Sequence, residues 1–316
     1  MSDLPRFVEI LEEGPREGFQ AEPPGIPVAA KLELIEALAE TGLAEINCAS
    51  FVSRKVMPQM ADAEEIAATV HRKEGVRYRG MWLSKNGFLR AANSGLDLMA
   101  TLSASASDTF LFKNNNRTPE QYLAEQEQML DLFEAHGLKN GPVYIFTAFG
   151  CNYEGAIDPA RVVERTAPLL DLLAARGHTP SHVTLCDTIG SATPEAVRRA
   201  MGAVRERWPD QPIALHLHDT RGLGLACALA GLEMGASRFD ASVGGLGGCP
   251  FAGNAAAAGN IATEELVLLC ESMGLATGID LARLVEVVAL AERIVGRPLP
   301  SRLAKAGLFQ PNPARA

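Results

Sequence analysis

One pattern limits what this chain can fold into: a short apolar run followed by a longer amphipathic segment, eight times over, with no break. Runs rich in apolar and β-branched residues fall at 7–11, 43–48, 77–83, 98–102, 142–149, 182–186, 213–218 and 239–243. Each is short enough to be a strand buried on both faces. Stretches of helical period follow them at 28–40, 63–72, 85–93, 119–135, 159–175, 194–208, 223–234 and 263–273, the period being weakest at 85–93. Thr118-Pro-Glu-Gln and Thr193-Pro-Glu-Ala are helix starts, with a hydroxyl at the N-cap and proline in the first turn. Gly137, Gly177 and Gly274 stand where a left-handed C-cap is wanted. Eight strand–helix units over about 275 residues predict a (β/α)8 TIM barrel, with an open α/β sheet as the alternative. A further amphipathic helix at 281–296 closes the pattern. The barrel is expected as one domain over residues 1–305, with 306–316 as a C-terminal tail.

Composition narrows the class. The chain has 316 residues, 47% of them hydrophobic, enough to bury a large core. A formal charge of -9 argues against a nucleic-acid partner. With no secretory leader and no apolar run long enough to span a bilayer, the sequence reads as cytoplasmic and without a membrane partner. The six cysteines form no CxxC pair, so most read as small core residues of a reducing compartment.

In a barrel, chemistry gathers where strands end and the following loops begin. The seventh run, Ile213-Ala-Leu-His-Leu-His-Asp219, ends in two histidines spaced so that both face one side of a strand. A single buried histidine is ordinarily a satisfied core residue; a same-facing pair at a strand end makes half of a metal site. Arg16 and Glu17 lie between Gly14 and Gly18, which would let backbone approach a ligand. Such a dipeptide in a turn is ordinarily a surface ion pair, and its place at the end of strand 1 favours a site. Gly244–Gly248 reads as a flexible loop carrying Cys249, whose thiol could act as acid or base. Asn260, by itself only an N-cap candidate, ends the small-residue stretch Gly253–Asn260.

Taken together, Glu13-Gly-Pro-Arg-Glu-Gly-Phe-Gln20, Ser50-Phe-Val-Ser-Arg-Lys55 with Pro58-Gln-Met60, Gly150-Cys-Asn-Tyr-Glu-Gly155, Asp187-Thr-Ile-Gly190, His216-Leu-His-Asp-Thr220 and Gly244-Gly-Leu-Gly-Gly-Cys-Pro-Phe251 resemble the 3-hydroxy-3-methylglutaryl-CoA lyase family. More broadly they look like the barrel metallolyases named for an Asp-Arg-Glu constellation. The match runs in order from about residue 7 to about 305. The resemblance implies a TIM barrel, a Mg2+ or Mn2+ ion, a small-molecule acyl-CoA substrate and a homodimer or larger assembly. The implied reaction is retro-Claisen cleavage of a 3-hydroxy acyl-CoA to an acyl-CoA and a keto acid. It makes Glu17, His216, His218 and Asn260 the metal ligands, with His216 also a proton relay. Arg16 would stabilise the enolate-like thioester oxygen, and Cys249 would deliver or accept a proton. Gln20, Asp187 and Thr188 would contact substrate. The basic residues Arg54, Lys55, Lys113, Arg117 and Arg221 could meet the phosphates of CoA.

Two departures stand inside the matched motifs. Glu17 occupies the position of the family's metal-binding aspartate, and Asn47 that of its catalytic glutamate at the end of strand 2. Glu45, two residues earlier on the same face, lies about 6.5–7 Å deeper and substitutes poorly. The stretch from Cys249 to Asn260 is also two residues longer than in typical relatives. On this reading Arg16 loses a carboxylate partner and specificity moves away from 3-hydroxy-3-methylglutaryl-CoA. The alternatives are a lyase or aldolase for a different acyl thioester, a metal-dependent hydrolase, or a barrel that binds acyl-CoA without turnover.

Overall fold

The computed structural model describes residues 4–248 and 259–309. Eight parallel strands form the inner layer: β1 (Glu9–Glu12), β2 (Glu45–Ser50), β3 (Arg77–Met81), β4 (Leu102–Ser105), β5 (Val143–Phe146), β6 (Val183–Cys186), β7 (Ile213–His216) and β8 (Arg238–Ala241). Their order, β4-β5-β6-β7-β8-β1-β2-β3, is the cyclic sequence order of a TIM barrel. β8 pairs with β1 in register, Glu9 opposite Arg238 and Leu11 opposite Asp240. The seam between β3 and β4 is carried by Asp97, just ahead of β4. It bridges Arg79, its amide donates to the Tyr78 carbonyl and its Oδ2 accepts from the Tyr78 amide, both at 2.8 Å.

The outer layer holds α1 (Val28–Ala39), α2 (Ala63–Thr69), α3 (Lys85–Ala92), α4 (Asp108–Asn115), α5 (Pro119–Ala135), α6 (Pro159–Ala175), α7 (Pro194–Arg207), α8 (Gly224–Glu233), α9 (Thr263–Ser272), α10 (Leu281–Val295) and α11 (Arg302–Ala306). Helix starts obey their caps. Thr118 and Gln121 form a reciprocal capping box on α5, Thr193 accepts from the Ala196 amide, and Asp158 caps α6. The apolar core lies between the layers, where Ile10, Ile46, Val143, Val183, Leu215 and Phe239 meet the helices. Strand residues of the opposite phase point into the barrel, and many are polar: Glu45, Asn47, Arg79, Thr184, His216 and Asp240 are all buried.

The structure departs from expectation in three places. β4 begins at Leu102, not Leu98, because the more apolar 96–100 stretch lies in the outer-layer core and leaves the Leu-Ser-Ala-Ser run to pair with β5. α4 is additional, started by the Ser107 hydroxyl accepting from the Phe110 amide and ended by Asn116 in the left-handed conformation. The chain after Pro298 forms α11 before Gly307, a helix that the sequence pattern did not call for.

Candidate active site

β1 runs directly into one wide helical turn, Gly14–Gly18, in which the amides of Arg16, Glu17 and Gly18 all donate to the Glu13 carbonyl. The glycines bounding it serve close packing of protein on protein. A Cβ on Gly14 would meet Glu12 Oε1 at 2.7 Å and one on Gly18 would meet Leu246 Cβ at 2.9 Å, so they let the turn lie against the segment after β8. This corrects the expectation that they open the backbone to a ligand.

The turn delivers Glu17 to the two histidines. His216 is the last residue of β7, and His218 forms an antiparallel bridge with Asn260 just beyond it. Their Nε2 atoms are 3.2 Å apart, and Glu17 Oε1 lies 3.3 Å from His218 Nε2 and 3.7 Å from His216 Nε2. Ligands set at right angles on a divalent ion, with bonds near 2.1 Å, would sit about 3 Å from one another. The set therefore fits an ion, and it is a possible metal site among the described residues. Asn260 reinforces the fit: it is 1% exposed, and both polar atoms of its side chain lack a partner among the described residues. His216 Nδ1 lies 3.1 Å from Asp240 Oδ2, which turns Nε2 toward the cluster. Burial alone would depress the His216 pKa, but Glu17 and Asp240 outweigh it and raise it well above the ordinary value. A buried imidazole that protonates so readily reports an excess of negative charge, which a cation would neutralise.

Glu17 is shared. Its second oxygen, Oε2, pairs with Arg16 Nη1 at 3.0 Å, and Arg16 Nη2 pairs with Glu13 Oε2 at 2.6 Å. Burial would raise the Glu17 carboxyl, yet Arg16 and His216 hold it well below the usual carboxylate range. Glu13, 2% exposed, accepts from Asn47 Nδ2 at both carboxylate oxygens, 3.1 and 3.2 Å. Asn47 stands at a break in the β2–β3 register, the kind of irregularity that re-aims a side chain near a site. The expectation that Asn47 leaves Arg16 short of a carboxylate is thus overturned: Glu13 pairs with both.

Comparison with known proteins decides the lineage. The HMGL-like family model matches residues 7–291. The chain belongs to the HMGL-like family. It is 38% identical over 303 residues to the Bos taurus protein named mitochondrial hydroxymethylglutaryl-CoA lyase, covering 96% of this chain and 90% of that one. Among solved structures it resembles hydroxymethylglutaryl-CoA lyase from Pseudomonas aeruginosa at a TM-score of 0.89 and 36% identity, covering 96% of this chain and 98% of that one. An Acinetobacter baumannii HMG-CoA lyase, solved in complex with coenzyme A and 3-methylmalate, matches at 0.85 and 38%, covering 99% of both chains.

Within this HMGL-like barrel, the structure brings together Arg16, Glu17, Asn47, His216 and His218, with Asn260 bridged to His218. Cys249 lies outside the described residues. Asp187 anchors the turn after β6, accepting from the amides of Ser191 and Ala192 at 2.7 and 3.1 Å, and Thr188 Oγ1 accepts from the Thr147 amide at 2.7 Å. Gln20 is half-buried, with Oε1 lacking a partner among the described residues. Of the basic residues expected for phosphate, Arg54 pairs with Glu64, Arg117 with Glu125, and Arg221 donates to the carbonyls of Ile189 and Gly190. Lys113 lies over the Tyr153 ring, and Lys55 is exposed. Sequence reasoning missed Glu13 and Asp240. Strand phase could have found both, since Glu13 continues the inward set of Leu11, and Asp240 sits on β8 opposite His216.

Proposed function

We propose that the chain is a divalent-metal-dependent carbon–carbon lyase that cleaves a 3-hydroxy acyl-CoA to an acyl-CoA and a keto acid, with 3-hydroxy-3-methylglutaryl-CoA the first substrate to test. The observation that carries this reading is Glu17 itself, one oxygen beside two imidazole nitrogens and the other on Arg16, at the strand ends of an HMGL-like barrel. Relatives of nearly full length carry the lyase name, and one is solved with coenzyme A bound.

Cleavage breaks the C2–C3 bond. The 3-hydroxyl loses its proton as the keto C=O forms, the bond's electron pair passes to the thioester as an enolate, and C2 then takes up a proton. Glu17, His216, His218 and Asn260 would hold an ion, Mg2+ or Mn2+ by the family resemblance, which when bound would supply Lewis acidity to the hydroxyl oxygen. Arg16 would face the enolate oxygen, a fixed cation with a planar fork held by Glu13 and Glu17. Because Asp240 engages Nδ1, His216 acts through Nε2 alone. One group, Cys249, would take the hydroxyl proton as thiolate and return it to C2 as thiol, so the exchange balances. Gln20, Asp187 and Thr188 would line the acyl side. A homo-oligomer follows from the resemblance, and a cytoplasmic setting from the five described cysteines, all free and buried. Among the described residues no helix is long and apolar enough to cross a membrane.

The test is to incubate metal-loaded protein with a panel of 3-hydroxy acyl-CoAs and identify products by mass, with a chelated control. A keto acid and an acyl-CoA, formed only with metal, are expected. No product from any member of the panel refutes the reading.

A further inference from the structure

Arg16 is the one guanidinium described at the cluster, and its usefulness depends on where its planar fork points. Two carboxylates set that direction. Glu17 reaches it from the same turn, but Glu17 also faces the imidazoles and cannot hold Arg16 independently of them. Glu13 is differently placed: its contacts with Arg16 and Asn47 are 2.6, 3.1 and 3.2 Å, and it makes none to either histidine. The amide of Asn47 is spent on Glu13, while its Oδ1 is buried with no partner among the described residues. Arg16 Nε is likewise buried and unpartnered among the described residues. Both residues that contact Glu13 thus keep one buried polar atom that a polar ligand group would satisfy.

We infer that Glu13 is the positioning residue of this site: from the end of β1 it supplies the carboxylate that Asn47 on β2 lacks, and through Arg16 it fixes the direction of the guanidinium. The carboxylate stands at 13 and the amide at 47 across one contact, so the pair 13/47 works as a unit. The inference rests on the lyase reading for its kinetic consequence, but not for its geometric one.

The unit is tested with three variants, Glu13→Gln, Asn47→Glu and the swap of both, assayed on whichever acyl-CoA the parent cleaves. Displacing a catalytic group by about 1 Å costs on the order of 10²-fold. Glu13→Gln is expected to lower kcat by about that factor, with KM within threefold and bound metal unchanged. The swap is expected to regain at least tenfold of the loss. Independently of turnover, 15N-arginine NMR should show the Arg16 Nη signals resolved in the parent, averaged in Glu13→Gln and resolved again in the swap. Activity within threefold for Glu13→Gln overturns the inference, as does a loss that the swap does not rescue, a loss that follows metal content, or Arg16 signals unchanged across the series. If the parent cleaves no acyl-CoA, the lyase reading fails, and the Arg16 signals still decide the role of Glu13.

Discussion

Glu17 places one oxygen toward two imidazoles and the other toward a guanidinium, all from a single turn. Around it, each partner has its own support: Asp240 behind His216, Glu13 behind Arg16. Removing a carboxylate behind a ligating histidine typically costs about 10–100-fold in metal affinity. Asp240→Asn should therefore weaken Mn2+ binding by about that factor, read by titration with the paramagnetic ion, while leaving the fold intact; unchanged affinity would mean the 3.1 Å contact does not orient the ring. Cys249→Ser is expected to lower kcat by about 10²-fold with metal content unchanged, the ordinary worth of a positioned acid–base group. Activity within threefold of the parent would make that thiol a bystander.

At the scale of elements, strand ends and the turns that leave them decide the site. Glu12, on the outer phase of β1, is fully buried; its Oε1 accepts from the amides of Gly14 and Val243, and its Oε2 from the Thr263 hydroxyl. It thereby ties the β1 turn to the segment after β8 and to the start of α9. Burial pushes its carboxyl up to about 8 despite those donors. The folded state thus holds this proton more tightly than the unfolded chain does, and its contribution to stability is lost as pH rises from about 4.5 toward 8. Glu12→Gln should match the parent's thermal midpoint near pH 4.5 and exceed it increasingly up to pH 8; a gap that does not widen with pH refutes this. The sequence pattern made the strand–helix alternation, the helix starts and the paired histidines readable, because caps and same-face spacing are local rules. It could not place β4, whose Leu-Ser-Ala-Ser run is less apolar than the stretch before it, nor α4, eight residues carried by two caps. Glu13 went unread for a different reason: its partner Asn47 is 34 residues away, and only the β1–β2 register brings them together.

For the whole molecule, the barrel interior is the unusual part. Where many barrels fill that space with branched aliphatics, this one sets Glu45 of β2 against Arg77 and Arg79 of β3 and Arg238 of β8, three strands tied through one carboxylate. The ion pairs lie beneath the candidate site, on the same strands that carry Asn47 and Asp240, so the network fixes the spacing of those strands below it. Burial would raise the Glu45 carboxyl, but Arg79 and Arg238 outweigh it and hold it down to about 2. Its contribution is therefore complete above the unfolded value of 4.5 and lost as pH falls toward 2, opposite in sign to that of Glu12. Removing one member of a buried pair leaves the remaining charge uncompensated, at a cost of about 3–5 kcal/mol. Arg79 is 8% exposed and Arg238 11% at the side chain, so neither can turn to water without disturbing the barrel. Glu45→Gln should accordingly lower stability by about 3–5 kcal/mol at pH 7, and the gap to the parent should shrink as the pH is taken from 4.5 toward 2. Urea unfolding at four or five pH values measures both quantities, and a gap of constant size across that range would show that the cost comes from packing and not from the lost charge.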